Sequence, residues 1–511
     1  MHGTDDVHHA QSVYGAQRHD LKNSREKPVV STEPGVRPGR IVGVLALGGI
    51  LAAIMQTLVV PLIGDLPAIL DTSASNASWV ITATLLSAAV ATPVAGRLGD
   101  MYGKRRMLLI STIPLIAGSV VCALSSSLIP MIAGRGLQGL GMGVVPLGIS
   151  LLRDVMPPEK LGSSIALMSA SMGVGGALGL PFAASVAENS SWRVLFWVAG
   201  ALSLLFTVLA WRFVPAGQVA ATTARFDVLG AIGLGAGLIS LLLAVSKGAD
   251  WGWGSGTTLG LFAAAVVLLL LWGWWELRNS DPLVDLRVVG RPQVLMTNAA
   301  SVLVGFSMYA QSLVVPQLLQ LPEGTGYGLG QSMMAMGLWM APAGLMMMAL
   351  SPLGAKLSAA RGPKVTLSVG SLVIAIGYAS SQLLLGSTWG LLVVTLVCNT
   401  GVGLAYGAMP ALIMSAVPPE ETASANSFNT LMRSIGSSVA AAVIGVVLAQ
   451  MTTDFGGHLL PSEGGFRIAL LIGSAVALAA AVVAALIPVP PRITESGTVP
   501  GARTAAAEAK A

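Results

Sequence analysis

Apolar residues along this chain gather into runs of about 18–25 residues, the length of helix that crosses a bilayer core, with short polar loops between them. The runs fall near 41–63, 78–97, 107–126, 129–152, 163–187, 192–213, 227–247, 256–275, 294–319, 331–353, 364–386, 389–414, 424–449 and 466–488. This pattern predicts fourteen transmembrane helices, with ends placed to within about 2–4 residues. Polar stretches flank them at 1–40 and 489–511 and read as disordered tails. The first forty residues lack the apolar centre of a cleavable signal peptide, so the first span is expected to serve as its own insertion signal.

An even number of spans puts both termini on one side. That side receives 23 Lys and Arg and the other receives 3, with Arg135 and Arg433 left inside spans. By the positive-inside rule the termini are cytoplasmic, in a multi-pass protein of the cell membrane. Composition agrees: the chain is 54% hydrophobic and 10% charged, with mean hydropathy +0.77. Its 61 glycines suit closely packed membrane helices. The basic excess is accounted for by orientation, so no nucleic-acid partner is expected. Cys122 and Cys398 both lie in apolar runs, which argues against a structural disulfide. His2, His8, His9, His19 and His458 fall in tails or loops. No buried metal or nucleophile constellation follows from them, and no phosphate loop of the Gly-x4-Gly-Lys-Ser/Thr type occurs. An enzyme, a bound metal and a cofactor are therefore not expected.

The chain also repeats itself. The loop after the fourth span, DVMPPEKLGSSIALM, and the loop after the twelfth, SAVPPEETASANSFNTLM, both place Pro-Pro-Glu (157–159 and 418–420) before a Ser-rich helix start. RLGDMYGKRRM after the second span is echoed by KLSAARGPKVT after the tenth. Setting spans seven and eight aside, both echoes fall at equivalent places in two six-span units, 41–213 and 294–488, with the extra pair at 227–275. Pro-Pro-Glu alone is a common entry to a helix. Repeated halves about a central axis, with substrate held near the midplane between them, are the mark of secondary transporters. The expected fold is an all-α integral membrane protein of two six-helix bundles plus two additional central helices.

GRLGDMYGKRRM (96–107) is similar to the signature loop of the major facilitator superfamily, with Gly96, Leu98, Asp100, Gly103, Lys104 and Arg105 matching and Met101 where a basic residue is usual. AGRGLQGLGMGVV (133–145) resembles that family's fourth-span motif through Arg135, Gln138, Gly139 and Gly141. SMGVGGALGLPF (171–182) resembles the glycine-rich fifth-span motif of exporters, with Gly173, Gly176, Gly179 and Pro181 as its packing positions and Gly-Gly in place of the usual Gly-Pro. With fourteen spans, the resemblance is to the drug:proton antiporter branch and covers roughly 41–490. It implies a major facilitator fold and export of hydrophobic or amphiphilic small molecules, with a proton gradient in place of any cofactor. Such a transporter is expected to work as a single chain in the lipid bilayer, with substrate and protons as its partners.

The residues bear on that expectation individually. Asp100 ends the second span one turn after Gly96. It can pair with a base or cap a helix N-terminus, a contact made in one state and broken in another, or it can be a solvated acid in a topogenic loop. Arg135 lies inside its span, where a charge costs about 2.5–3.5 kcal/mol and should face protein or water. Gln138 lies one turn on and can share its polar face. A guanidinium does not give up its proton in a protein, so Arg135 would act electrostatically, on a carboxylate or an anionic group, or simply reach toward the surface. The first span, ILAAIMQTLVVPLIGDLP, carries Met55 and Gln56 where relatives place an acid. No Asp or Glu lies well inside any span, which leaves Asp65 and Asp100, at span ends, as candidate proton carriers, although Asp65 also reads as a loop acid. Arg433 is the second cation within a span; Asn426 and Asn429 precede it on one face, and Glu420 and Glu421 are near in sequence. With Gln56, Arg135 and Gln138, Arg433 and Asn429 complete the candidate lining of a central cavity. Met333, Met336, Met340 and Met347 recur at helical spacing, as an adaptable drug surface or as lipid-facing filler. Trp251, Trp253, Trp272, Trp274 and Trp275 read as interfacial anchors.

Three alternatives stay open at this stage: a dedicated exporter of one natural product, an uptake permease on the same fold, and a receptor or structural protein that keeps the fold without turnover.

Overall fold

The computed structural model describes residues 38–62, 65–215, 225–456 and 458–488; of the two tails expected to be disordered, 1–37 and 489–511 lie outside them, while Pro38–Arg40 begins the first helix. Among the described residues, fourteen helices are long and apolar enough to cross a membrane. They are α1 (Pro38–Leu62), α2 (Trp79–Tyr102), α3 (Lys104–Leu124), α4 (Leu128–Val155), α5 (Pro158–Asn189), α6 (Arg193–Phe213), α7 (Val228–Trp251), α8 (Gly256–Glu276), α9 (Pro292–Gln320), α10 (Met333–Arg361), α11 (Pro363–Leu384), α12 (Thr388–Ala416), α13 (Pro419–Gln450) and α14 (Glu463–Leu486). A bilayer core offers no water to backbone N–H and C=O groups, so each crossing segment closes its own bonds as a helix. A two-stranded hairpin, β1 (Thr452–Phe455) and β2 (His458–Pro461), joins α13 to α14. We call the side holding Pro38 and Leu486 the terminal face and the other the distal face.

Two apolar cores organise the bundle. One gathers Leu45, Met55, Leu147, Leu151, Phe196 and Phe206 from α1, α4 and α6; the other gathers Val304, Leu367, Tyr378, Leu412, Ile444 and Phe466 from α9 and α11–α14. A third, smaller cluster packs Leu234, Leu238, Leu242 and Trp272 of α7 and α8 onto Ala89 of α2 and Phe428 and Leu431 of α13. The additional pair thus lies over the seam between the halves. At the distal end of that seam the Lys247 ammonium binds the Ser78 hydroxyl and the Asp250 carboxylate (3.0 Å), and sits 5.2 Å from the Trp79 ring centre.

The repeat seen in sequence has a conformational counterpart. Gly103 ends α2 at φ +98° and Gly362 ends α10 at φ +92°, both in the left-handed region that glycine enters without steric cost. One expectation changes. Trp272 is buried between α7 and α8, its Nε1 donating to Glu276 Oε1 at 2.8 Å, and Trp275 Nε1 donates to Asp227 Oδ2 at 3.0 Å. These indoles satisfy carboxylates at the base of the extra pair, and Trp272 is not an interfacial anchor; Trp251 and Trp274 remain exposed.

Candidate functional site: a seam latch, a buried arginine and a central cavity

On the terminal face the signature loop crosses from one half to the other. Asp100 Oδ1 accepts from Ala423 N at 3.0 Å and Oδ2 from Ser424 N at 2.7 Å, so its carboxylate caps the first α-helical turn of α13. Those N–H groups have no partner within their own helix, and the helix dipole favours an anion there. The approach depends on Gly96: a Cβ there would lie 2.3 Å from Ser427 Oγ and 2.7 Å from the Ala423 carbonyl oxygen. Lys104 binds Asp154 at 2.9 Å, tying α3 to α4, and Arg105 donates to the Trp211 carbonyl at 2.6 Å. Ser150 Oγ donates to the Thr422 carbonyl (3.0 Å) and accepts from Asn426 Nδ2 (3.2 Å), and Arg153 donates to the Val417 carbonyl (3.3 Å). The bonds of Asp100, Ser150 and Arg153 to residues 417–426 close the terminal end of the seam.

Arg135 is 1% exposed and has no carboxylate partner among the described residues. Its Nε donates to the Val80 carbonyl at 3.2 Å, and one terminal nitrogen donates to the Met55 carbonyl at 3.0 Å and to Gln138 Oε1 at 2.7 Å. Gln138 Nε2 passes the chain on to Ser119 Oγ at 2.9 Å. The Met55 carbonyl is free to accept because α1 leaves regular helix after Thr57 and continues as a 3-10 turn at Val60–Leu62. Pro61, with no N–H to offer, lies in that turn. Arg135 therefore ties α4 to the broken end of α1 and to the start of α2. The expected carboxylate or anionic partner is replaced by backbone oxygen.

Between the halves lies a cavity of about 560 Å³, a volume that suits a drug-sized molecule. Neither Arg135 nor Gln138 reaches it; Gln56 does, on the α1 side. Arg433 lines the opposite side, and Asn429 stands behind it, donating to Asn298 Oδ1 (2.9 Å) and Ser301 Oγ (2.8 Å). Met340 and Met347 of the methionine series line the cavity, whereas Met336 is buried in the second core and Met333 packs against it. No Asp or Glu is among the described residues of the wall. Asp65 stands exposed before the short helix Leu66–Ile69, away from the cavity.

The fifth-span motif divides by role. At Gly173 a Cβ would lie 2.9 Å from the Gly344 carbonyl oxygen, and at Gly344 one would lie 2.2 Å from the Gly173 carbonyl oxygen, so α5 and α10 meet backbone to backbone. Gly179 faces Thr57 Oγ1 and Pro181 packs on Gly337, while Gly176 lines the cavity with nothing within 4 Å of its would-be Cβ. Gly344→Val is expected to remove folded protein in fluorescence-detected gel filtration, because overpacking at a backbone contact costs about 1–3 kcal/mol or more. Gly176→Ala should leave the elution profile unchanged. Equal profiles for Gly344→Val and wild type would refute the contact.

Tyr406 and Asn298 were missed by sequence reasoning. Tyr406 places its ring 4.5 Å from the Arg433 guanidinium carbon. A signal existed for Asn298, since Thr297, Asn298 and Ser301 put polar groups at helical spacing inside an apolar span.

Fourteen helices long and apolar enough to span, two packed halves and a cavity between them describe a polytopic membrane protein. The family model for the Major Facilitator Superfamily matches residues 45–441, and the chain belongs to that family. It is 29% identical over 422 residues to the uncharacterized MFS-type transporter MT1926 of Mycobacterium tuberculosis, a match spanning 81% of this chain but only 60% of that protein's length. It is 25% identical to Multidrug resistance protein 3 of Bacillus subtilis (80% of this chain, 79% of that one). It is 27% identical to the Tetracenomycin C resistance and export protein of Streptomyces glaucescens (82% and 77%). The fold is similar to that of the human organic anion transporter MFSD10, with TM-score 0.61, 16% identity, and 88% of this chain and 100% of that one covered.

Proposed function

We propose that this protein exports hydrophobic or amphiphilic small molecules by alternating access, driven by proton entry. The observation that carries the proposal is the cavity between the halves, shut on the terminal face by the Asp100 cap and the Ser150 bonds. The charge bias of the loops makes that face cytoplasmic, so this arrangement has its inner side closed. Relatives named for multidrug resistance and antibiotic export support the direction. Each proton entering contributes about 2.3 kcal/mol per 100 mV, enough to drive export without a nucleotide.

Of the two acids considered for the proton, Asp65 is exposed in a loop, while Asp100 holds the seam. Protonating Asp100 would remove the charge from its bonds to α13, which links proton occupancy to opening of the latch.

The test is efflux of cationic, neutral and anionic amphiphilic dyes from cells expressing the protein, with and without an uncoupler. Export of at least one dye that stops when the gradient collapses is expected. Export indifferent to the uncoupler would remove proton coupling, and net uptake would favour a permease. Should only a single natural product be moved, the protein is a dedicated exporter. No exchange under any gradient would leave the receptor reading.

A further inference from the structure

Among the described residues lining the cavity, Arg433 is the one charged side chain. Its partners are neutral: one terminal nitrogen reaches Asn429 Oδ1 and the other Thr430 Oγ1, both at 3.3 Å, and the Tyr406 ring covers one face of the guanidinium. Glu420 and Glu421, near it in sequence, stand at least twelve residues earlier, about 18 Å along the helix at 1.5 Å per residue. They belong to the terminal face. Asn429 is itself fixed by Asn298 and Ser301, which aims its Oδ1 at Arg433. Arg433 is 6% exposed and thus largely removed from bulk water. It uses two of its five N–H donors and keeps a planar fork suited to a carboxylate. A partly desolvated cation with no counter-charge is costly, and an incoming anion lowers that cost. Met172, Met340 and Met347 supply an adaptable apolar surface to the same cavity.

We propose that the transported molecule is an anionic amphiphile whose carboxylate binds Arg433 while its apolar body lies against these methionines, and that organic cations are disfavoured. This rests on the export reading and names its substrate class.

Three probes with one apolar body separate the possibilities: 1-pyrenebutyrate, 1-pyrenebutanol and the pyrenebutyl trimethylammonium ion. Binding is measured to wild type in phosphatidylcholine nanodiscs, with empty discs subtracted. The butyrate is expected to bind at least about tenfold tighter than the ammonium, since close charge pairs contribute about 1.5 kcal/mol or more. Arg433→Lys should keep the order, and Arg433→Gln should bring the three affinities together. Equal or tighter binding of the ammonium by wild type overturns the anionic site while leaving export intact. Binding of none of the three, in a protein that also moves no dye, overturns both. Loss of the butyrate preference in discs containing phosphatidylglycerol assigns Arg433 to a lipid headgroup and overturns the substrate reading. The wild-type comparison stands even if a variant fails to fold.

Discussion

Replacing Asp100 by Ala is expected to open the terminal face and stop transport without unfolding the protein. The carboxylate accepts two backbone N–H bonds from α13, at 3.0 and 2.7 Å, across the seam. Hydrogen bonds to a charged group contribute about 1.5–3 kcal/mol each. Losing both shifts the balance between closed and open arrangements by about 3 kcal/mol, or roughly a hundredfold in population. The helices keep their own cores, because neither α2 nor α13 depends on Asp100 for its apolar packing. A reporter cysteine at Ser150 reads the change directly, since this side chain is fully buried at the closed seam. Both native cysteines are buried and contribute little background. In proteoliposomes, a membrane-impermeant maleimide reaching the terminal face should label Ser150→Cys slowly, and at least about tenfold faster once Asp100→Ala is added. Asp100→Asn should fall between, because its amide keeps one acceptor oxygen and turns a donor toward a donor. Identical labelling rates with and without Asp100 would remove it from the latch.

What was legible in the sequence follows from which physical rules are local. Span number, order and the position of the extra pair came from apolar run length, because a bilayer imposes one length on every crossing helix. Helix ends were less legible. α5 begins at Pro158 and α10 continues to Arg361, beyond the apolar runs at 163–187 and 331–353, since a helix extends into water wherever its backbone can cap itself. Asp100 was recognisable as a cap or an ion-pair partner, and Gly96 as the residue permitting a close approach. Which of the two Asp100 makes depended on α13, more than 300 residues away in the chain. Arg135 stood out because a buried charge is costly, yet its partners were invisible. Backbone carbonyls exist at every position, and only the break in α1 after Thr57 frees that of Met55, one of the two it uses. Trp272 was misplaced for a related reason: a tryptophan near a span end fits both an interfacial belt and a buried carboxylate, and only packing distinguishes them.

Arg135→Ala should act first on stability and only through it on transport. The substitution strands the Met55 carbonyl and Gln138 Oε1, which Arg135 reaches at 3.0 and 2.7 Å, and removes the 3.2 Å bond to the Val80 carbonyl within α2. A buried acceptor left unmet costs about 1–3 kcal/mol, so two of them come to roughly 2 kcal/mol or more. Because the bonds tie α4 to α1 and to the start of α2, the loss falls on the framework of the first half, and Gln56, one residue after Met55, would lose its fixed position at the cavity. Thermal unfolding of purified protein in detergent should show a melting temperature well below wild type. Arg135→Lys should recover part of the loss, since an ammonium has three donors but no planar fork to reach both carbonyls and the amide together. The pair with Gln138 gives an internal control. Gln138→Ala removes the 2.7 Å bond and the link to Ser119, so its effect must overlap with that of Arg135→Ala. The double variant should therefore melt close to Arg135→Ala alone, with a coupling on the order of 1 kcal/mol between the sites. A wild-type melting temperature for Arg135→Ala, combined with lost dye export, would place the arginine in the transport step itself. Strict additivity with Gln138→Ala would show that the two side chains do not share the bond drawn between them.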